Sequence, residues 1–131
     1  MYEYEASLIS IHDGDTLRLS IDLGFSVHFL TPNPENEPQS IRFLGYDAPE
    51  LKARKADPNG LGEEARDAVA AWFGLHPPPY TVKTEKDRTE KFGRYLIRSL
   101  TSADTHELIG DQVQAGYLKP YSGSGPKPVW P

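Results

Sequence analysis

The sequence predicts a small β-barrel with helices (α+β), formed by about five strands and about two helices. Runs of alternating apolar and polar residues recur along the chain, as in half-buried strands. Clusters of glycine, proline, asparagine and aspartate separate these runs and indicate turns. Two segments show helical periodicity instead, one after the third strand and one after the fifth. At 131 residues, the chain is long enough to bury one core.

The first two strands are predicted to form a hairpin. Residues 6–11 and 17–21 flank Asp13-Gly14, a strong hairpin signal. Gly24 then makes a turn, and the strand pattern continues over residues 25–30. Residues 31–39 contain three prolines and two asparagines, which predicts an exposed loop before the third strand at 41–44.

The clearest helix is predicted at residues 62–73, where Ala65, Ala68, Val69, Trp72 and Phe73 share one face. Two glutamates in its first turn suit the helix dipole.

The remaining elements follow a proline-rich connection. The fourth and fifth strands are predicted at 80–85 and 94–100, and a second helix at 105–115 is ended by Gly116. A helix between strands three and four is typical of the oligonucleotide/oligosaccharide-binding (OB) barrel. We therefore predict one domain over residues 1–121, followed by a proline- and glycine-rich tail over 122–131 that packs on the domain or trails from it.

Composition restricts the chemistry. The chain has no cysteine, so any metal needs oxygen or histidine ligands, and the four histidines show no ligand spacing and are interpreted as incidental. The formal net charge of −5 means that nucleic acid would have to be attracted by a local site.

No apolar run approaches membrane-spanning length, so no membrane association is expected. The N-terminus lacks the pattern of a signal peptide, which predicts a cytoplasmic protein, or a secreted one if the chain is a mature fragment.

The stretch Ile41–Glu50 combines a strand with a rigid turn around Pro49. Arg42 lies within the strand, Asp47 lies at its exit, and Glu50 follows the proline. Such a set suits a site that binds both a cation and an anion. Solvated charges on a surface strand and turn are the alternative interpretation.

Three segments together resemble the staphylococcal nuclease (thermonuclease) family. They are Ile-His-Asp-Gly-Asp-Thr at 11–16, Arg-Phe-Leu-Gly-Tyr-Asp-Ala-Pro-Glu at 42–50 and Asp-Arg-Thr-Glu-Lys-Phe-Gly-Arg at 87–94. The resemblance spans about residues 6–121 and implies a five-stranded OB barrel. It also implies a calcium-dependent endonuclease that hydrolyses phosphodiester bonds of DNA and RNA, preferably single-stranded, with little sequence specificity, and leaves a 3′-phosphate. We expect it to act as a monomer.

The resemblance assigns a role to each matching position. Asp15 and Asp47 would hold Ca²⁺ through their carboxylates, and Ala48, where the best-known relatives have threonine, through its backbone carbonyl. Glu50 would activate water, whereas Arg42 and Arg94 would bind the scissile phosphate. The predicted substrate contacts are Lys91, Phe92 (a tyrosine in well-known relatives), and Tyr117 or Tyr121, whose rings could equally pack the tail on the barrel.

Two other functions stay open at this stage. One is a non-catalytic module that binds nucleic acid or protein, which the acidic net charge favours, and the other is a barrel for small anionic ligands. Retention of Arg42, Glu50 and Arg94 favours the enzyme.

Overall fold

A computed structural model describes residues 2–25, 27–29, 39–52, 59–84 and 95–130. The strands within these ranges are β1 (Tyr2–Asp13), β2 (Thr16–Asp22), β3 (His28–Phe29), β4 (Gln39–Phe43), β5 (Tyr46–Asp47), β6 (Tyr80–Thr84), β7 (Tyr95–Ile97), β8 (Ser99–Thr101) and β9 (Lys119–Pro120). The helices are α1 (Leu61–Leu75) and α2 (Leu108–Ala115). None of the described helices is long and apolar enough to cross a membrane.

The main sheet forms a nearly closed barrel. Its strands follow the order β7-β4-β2-β1-β6-β8, and β3 pairs with β2 beside this path. All pairs are antiparallel except β4 with β7, which is parallel. Strand β1 pairs with β2 along its second half and with β6 along its first half, and the register shifts twice against β2. Such irregularities bend a strand and help a sheet to curl.

The prediction of five strands was wrong, because the barrel path contains six. The single strand predicted over 94–100 is divided at Arg98, which lies between β7 and β8. Arg98 donates its backbone N–H to the carbonyl of Lys83. The segment before Arg98 therefore pairs with β4 and the segment after it pairs with β6, so one stretch of chain occupies both ends of the sheet.

The core lies between the sheet and the two helices. Strand β2 alternates buried and half-buried residues, as predicted for a strand with one face in the core. Helix α1 buries the face formed by Gly62, Ala65, Val69 and Trp72. The largest fully buried side chains are Phe43, Leu17, Leu19, Ile41, Ile97, Leu100 and Leu108.

The predicted elements within the described residues are largely present, with shifted ends. The Asp13-Gly14 hairpin forms, and α1 extends to Leu75, beyond the predicted end. Helix α2 begins later than predicted because Glu107 caps it, accepting hydrogen bonds from the amides of Ile109 and Gly110. Gly116 ends α2 in a left-handed conformation (φ 90°), as predicted. The loop predicted over 31–39 lies outside the described residues, apart from Gln39, which begins β4.

Candidate functional site

The candidate site is a polar pocket where the β1–β2 turn meets β4 and β5. The cavity has a volume of about 270 Å³. Strand pairing explains the convergence, because Thr16 is in register with Arg42 and the amide of Phe43 donates to the carbonyl of Asp15. The residues that line the cavity are His12, Asp13, Asp15, Arg42, Asp47, Glu50, Leu51 and Lys127.

Asp15 is buried and fixed on both carboxylate oxygens. The hydroxyl of Thr16 donates to its Oδ1 at 2.8 Å, and the backbone N–H of Ala48 donates to its Oδ2 at 3.0 Å. Its own amide donates to Oδ1 of Asp13 at 3.1 Å. The carboxylate is therefore preorganised by two neighbouring turns before any ligand arrives.

Arg42 lies between two aspartates and joins them. Its Nη2 contacts Asp15 Oδ2 at 3.2 Å and Asp47 Oδ1 at 2.8 Å, and its Nη1 donates to the carbonyl of Tyr46 at 3.2 Å. We call Asp15, Arg42 and Asp47 the aspartate–arginine cluster. All three side chains are nearly inaccessible, with exposed fractions of 8%, 11% and 4% respectively. A buried cluster of this kind is poorly screened by solvent.

Two glycines allow α1 to pack directly behind the site. A Cβ on Gly62 would lie 2.2 Å from the carbonyl oxygen of Glu50. A Cβ on Gly14 would lie 2.8 Å from Cβ of Ala48 and 2.9 Å from Cβ of Ala65. Because no side chain fits at either place, the start of α1 fixes the backbone of both turns that carry the carboxylates.

Burial and mutual repulsion separate the proton affinities of the three aspartates. Burial, together with the nearby charge of Asp15, raises the pKa of Asp13 to about 7. Burial alone would raise the pKa of Asp15, but hydrogen bonding to Asp13 and the charge of Arg42 lower it below its usual value. Burial and the charge of Asp15 raise the pKa of Asp47. Below about pH 7 the pocket therefore holds a proton on Asp13 while Asp15 stays ionised.

Lys127 is a site residue that the sequence interpretation missed. It lies in the C-terminal segment, yet its Nζ contacts Oε1 of Glu50 at 2.8 Å. The hydrogen bond and charge of Lys127 lower the pKa of Glu50. Both side chains are about half exposed, so the pair contributes little to stability. No local pattern signals a contact across 77 residues.

The C-terminal segment reaches the pocket because its start is anchored. Strand β9 pairs with β5, and the amide of Tyr121 donates to the carbonyl of Gly45 at 2.9 Å. Lys119 then donates to the carbonyl of Val129 at 2.8 Å and lies 4.5 Å from the centre of the Trp130 ring. These contacts fold residues 122–130 back onto the barrel.

The two candidate tyrosines make different contacts. The Tyr117 hydroxyl donates to Oε1 of Glu64, in the first turn of α1, at 3.4 Å. Burial and the charge of Glu64 raise the pKa of Tyr117. The Tyr121 hydroxyl contacts the carbonyl of Gly125 at 3.5 Å, within the folded tail. Neither lines the pocket described above, so a role in nucleotide binding stays a prediction for both.

The remaining predicted residues divide into two groups. The structure brings Asp15, Arg42, Asp47 and Glu50 together, and Ala48 contacts the cluster through its amide N–H. A role for the Ala48 carbonyl stays a prediction. Lys91, Phe92 and Arg94 lie outside the described residues.

The described pocket has an excess of negative charge. Above about pH 7, where Asp13 is ionised, four carboxylates face the two cationic side chains of Arg42 and Lys127, and three carboxylates do so when Asp13 holds a proton. All of the anionic groups offer oxygen atoms as ligands. A small, hard divalent cation such as Ca²⁺ or Mg²⁺ suits oxygen ligands and would offset this charge. The pocket can thus accommodate a cation while Arg42 and Lys127 supply donors to an anion.

The sequence matches no model of a known protein family, and a search of curated proteins finds no significant match.

Proposed function

We propose that the protein is a calcium-dependent endonuclease that hydrolyses phosphodiester bonds of DNA and RNA with little sequence specificity and leaves 3′-phosphate ends. The observation that supports this best is the convergence of two distant segments. Asp15 comes from the β1–β2 turn, whereas Arg42, Asp47 and Glu50 come from residues 42–50, and all four line one pocket. Two of the three resembling segments thus meet in the described structure.

The oxygen atoms of the pocket are the type of ligand that calcium prefers. Asp15 and Asp47 would hold it through carboxylate oxygens, with the Ala48 carbonyl as a further ligand. The guanidinium of Arg42 already lies against both carboxylates, so this position is organised around positive charge. When bound, the ion would offset charge on the phosphate that is attacked.

The chain's own groups have separate tasks in this proposal. Glu50, kept ionised by its lowered pKa, accepts a proton from the attacking water. Arg42 binds the phosphate with paired donors, which requires it to release at least one aspartate. Arg94 would add a second guanidinium and Lys91 a further charge at a neighbouring phosphate. The products would leave as a 3′-phosphate and a 5′-hydroxyl.

The arrangement of the barrel supports an OB fold, which is the fold expected for the proposed enzyme. Helix α1 lies between β5 and β6, and the parallel pairing of β4 with β7 brings the last part of the barrel beside the third predicted strand. OB barrels bind oligonucleotides across one face and its adjoining loops.

The test is cleavage of single-stranded DNA at mildly alkaline pH, first with Ca²⁺ and then with excess chelator. We expect cleavage that the chelator abolishes and that Glu50→Gln reduces by about a hundredfold or more. Glu3→Gln is the matched control, because Glu3 is an exposed glutamate on β1. Cleavage that persists at full rate in Glu50→Gln would refute Glu50 as the base, and folded wild-type protein that never cleaves would refute the enzyme.

One observation favours a second candidate, a nucleic-acid or protein binding module without turnover. Lys127 pairs with Glu50 and so engages the group that the enzyme would need as its base. For this candidate, folded protein would bind an oligonucleotide or a protein partner, and Glu50→Gln would leave the affinity unchanged.

A further inference from the structure

A second cluster of potential ligands lies near the opposite end of α1 from the pocket. His76 caps the C-terminus of this helix, His106 precedes the cap of α2, and Asp111 lies in the first turn of α2. We call these three residues the histidine cluster. Their ligand atoms all lie within 4.8 Å of one another. A helix of 15 residues separates the two ends by about 20 Å, so this cluster shares no residue with the pocket.

The two imidazoles are held side by side. Their ring centres are 4.2 Å apart with an angle of 31° between the planes. His76 also lies against Trp72, with ring centres 4.7 Å apart. Aromatic packing therefore fixes the ring of His76. The His106 side chain is 53% exposed, so an ion can reach the cluster from solvent on that side.

His76 and Asp111, which are both partly exposed, each have a partner that orients them. Nδ1 of His76 lies 2.9 Å from Oδ2 of Asp104, which fixes the imidazole so that Nε2 is the nitrogen left to bind. Oδ2 of Asp111 accepts a hydrogen bond from the indole N–H of Trp72 at 2.8 Å. A carboxylate on the second nitrogen of a histidine, and a hydrogen bond to a ligating carboxylate, are the usual supports of a metal site.

We propose that the histidine cluster is a binding site for one zinc-class divalent ion, held by His76, His106 and Asp111. Two imidazoles and a carboxylate suit Zn²⁺ and its neighbours in the transition series better than Ca²⁺, which prefers oxygen alone. Three protein ligands leave one position for water. The bound ion joins the end of α1 to the start of α2, and so fastens the two helices to each other.

Binding requires a small local adjustment. A four-coordinate Zn²⁺ with bonds of about 2.0–2.1 Å keeps its ligands roughly 3.4 Å apart, so the three atoms must approach by about an ångström. Oδ2 of Asp111 is already 3.6 Å from Nδ1 of His106. The His106 side chain, which is half exposed, has room to rotate towards the other two ligands.

Zinc chloride titrated into untagged, chelator-stripped protein and followed by calorimetry tests the proposal. We expect one ion per chain, and His106→Ala should weaken binding by about a hundredfold, more than the roughly tenfold loss expected when an orienting partner is removed by Asp104→Asn. His28→Ala is the control, because His28 is an exposed histidine on β3 whose Nδ1 lies 2.9 Å from the hydroxyl of Ser20. The control should bind zinc like the wild type.

A spectroscopic measurement provides an independent readout. Co²⁺ bound to two imidazoles and a carboxylate should give a visible absorption band that Asp111→Asn removes, while asparagine can still accept the Trp72 hydrogen bond and preserve the fold. Zinc binding of equal strength in His106→Ala and the wild type would overturn the proposal, as would the absence of stoichiometric binding to the wild type. Neither result bears on the proposed nuclease activity, which would involve other residues.

Discussion

Replacing Arg42 by methionine tests whether the aspartate–arginine cluster governs the stability of the site. Methionine keeps much of the aliphatic packing but removes the charge and the donors that Arg42 gives to Asp15 and Asp47. Two carboxylates with exposed fractions of 8% and 4% then lose their cationic partner. Removing one partner from a buried ion pair costs about 3–5 kcal/mol. With an m-value of about 2 kcal/mol per molar urea, the midpoint should fall by roughly 2 M.

The pH dependence of this loss has a defined sign. Without Arg42, the folded-state pKa of Asp47, already raised by burial and by Asp15, rises further. A carboxylate whose pKa is higher in the folded state loses stability as pH rises through the interval between its unfolded and folded values. The free energy of unfolding of Arg42→Met should therefore fall further below that of the wild type at about pH 8 than at about pH 5.

Urea denaturation followed by far-UV circular dichroism in chelator measures the effect. Arg66→Met is the matched control, because Arg66 pairs with Asp67 at the surface of α1, where both side chains are substantially exposed. The free energy of unfolding of the control should lie within about 0.5 kcal/mol of the wild-type value. Saturating Ca²⁺ should restore part of the stability of Arg42→Met. If Arg42→Met and Arg66→Met unfold at the same urea concentration in chelator, the aspartate–arginine cluster does not stabilise the fold.

Three further substitutions probe the surroundings of the site. Asp13→Asn removes a carboxyl group whose pKa is raised from 3.8 to about 7, so the folded wild type loses stability as pH rises between these two values. Thermal melts should show the variant unchanged near pH 4 and more stable than the wild type by up to about 4 kcal/mol near pH 8; an equal effect at both would contradict the shift. Gly62→Ala places a methyl group against the Glu50 carbonyl, and urea denaturation should show a free energy of unfolding about 3 kcal/mol lower than that of the wild type. Gly74 has open space around it, so Gly74→Ala should be neutral or slightly stabilising. Lys127→Ala removes a positive charge from the pocket, and calcium titration should show roughly fivefold tighter binding, equivalent to about 1 kcal/mol; unchanged affinity would mean that Lys127 lies too far from the ion.

Local patterns predicted the hairpin and both helices because the forces that form these elements act between neighbours. Asp13-Gly14 defines a turn within four residues, and the apolar face of α1 repeats at helical spacing. The sequence also pointed to Asp15, Arg42, Asp47 and Glu50 as one set, since two short motifs held them all. The hydrogen bonds among these residues could not be predicted from the sequence, because they depend on the register of β2 with β4.

Contacts between remote segments escaped prediction for a physical reason. No glycine or proline interrupts residues 94–100, so nothing local reveals that the backbone changes partners at Arg98. Lys127 approaches Glu50 only because β9 pairs with β5. His76 and His106 are 30 residues apart and were interpreted as incidental, and only the packing of α1 against α2 brings them together.

The division of the last barrel segment at Arg98 has a consequence for the order of folding. Strands β4 and β6 both receive their outer partners from residues 95–101, so neither edge can be completed until this stretch has been synthesised. A nascent chain that stops short of it exposes two rows of unpaired backbone N–H and C=O groups, which invite pairing with other chains. Barrel closure thus depends on contacts between residues far apart in the chain, a topology that slows folding relative to helical proteins of equal length. Residues 95–101 therefore close the barrel, because the same seven residues cover the open edges of β4 and β6.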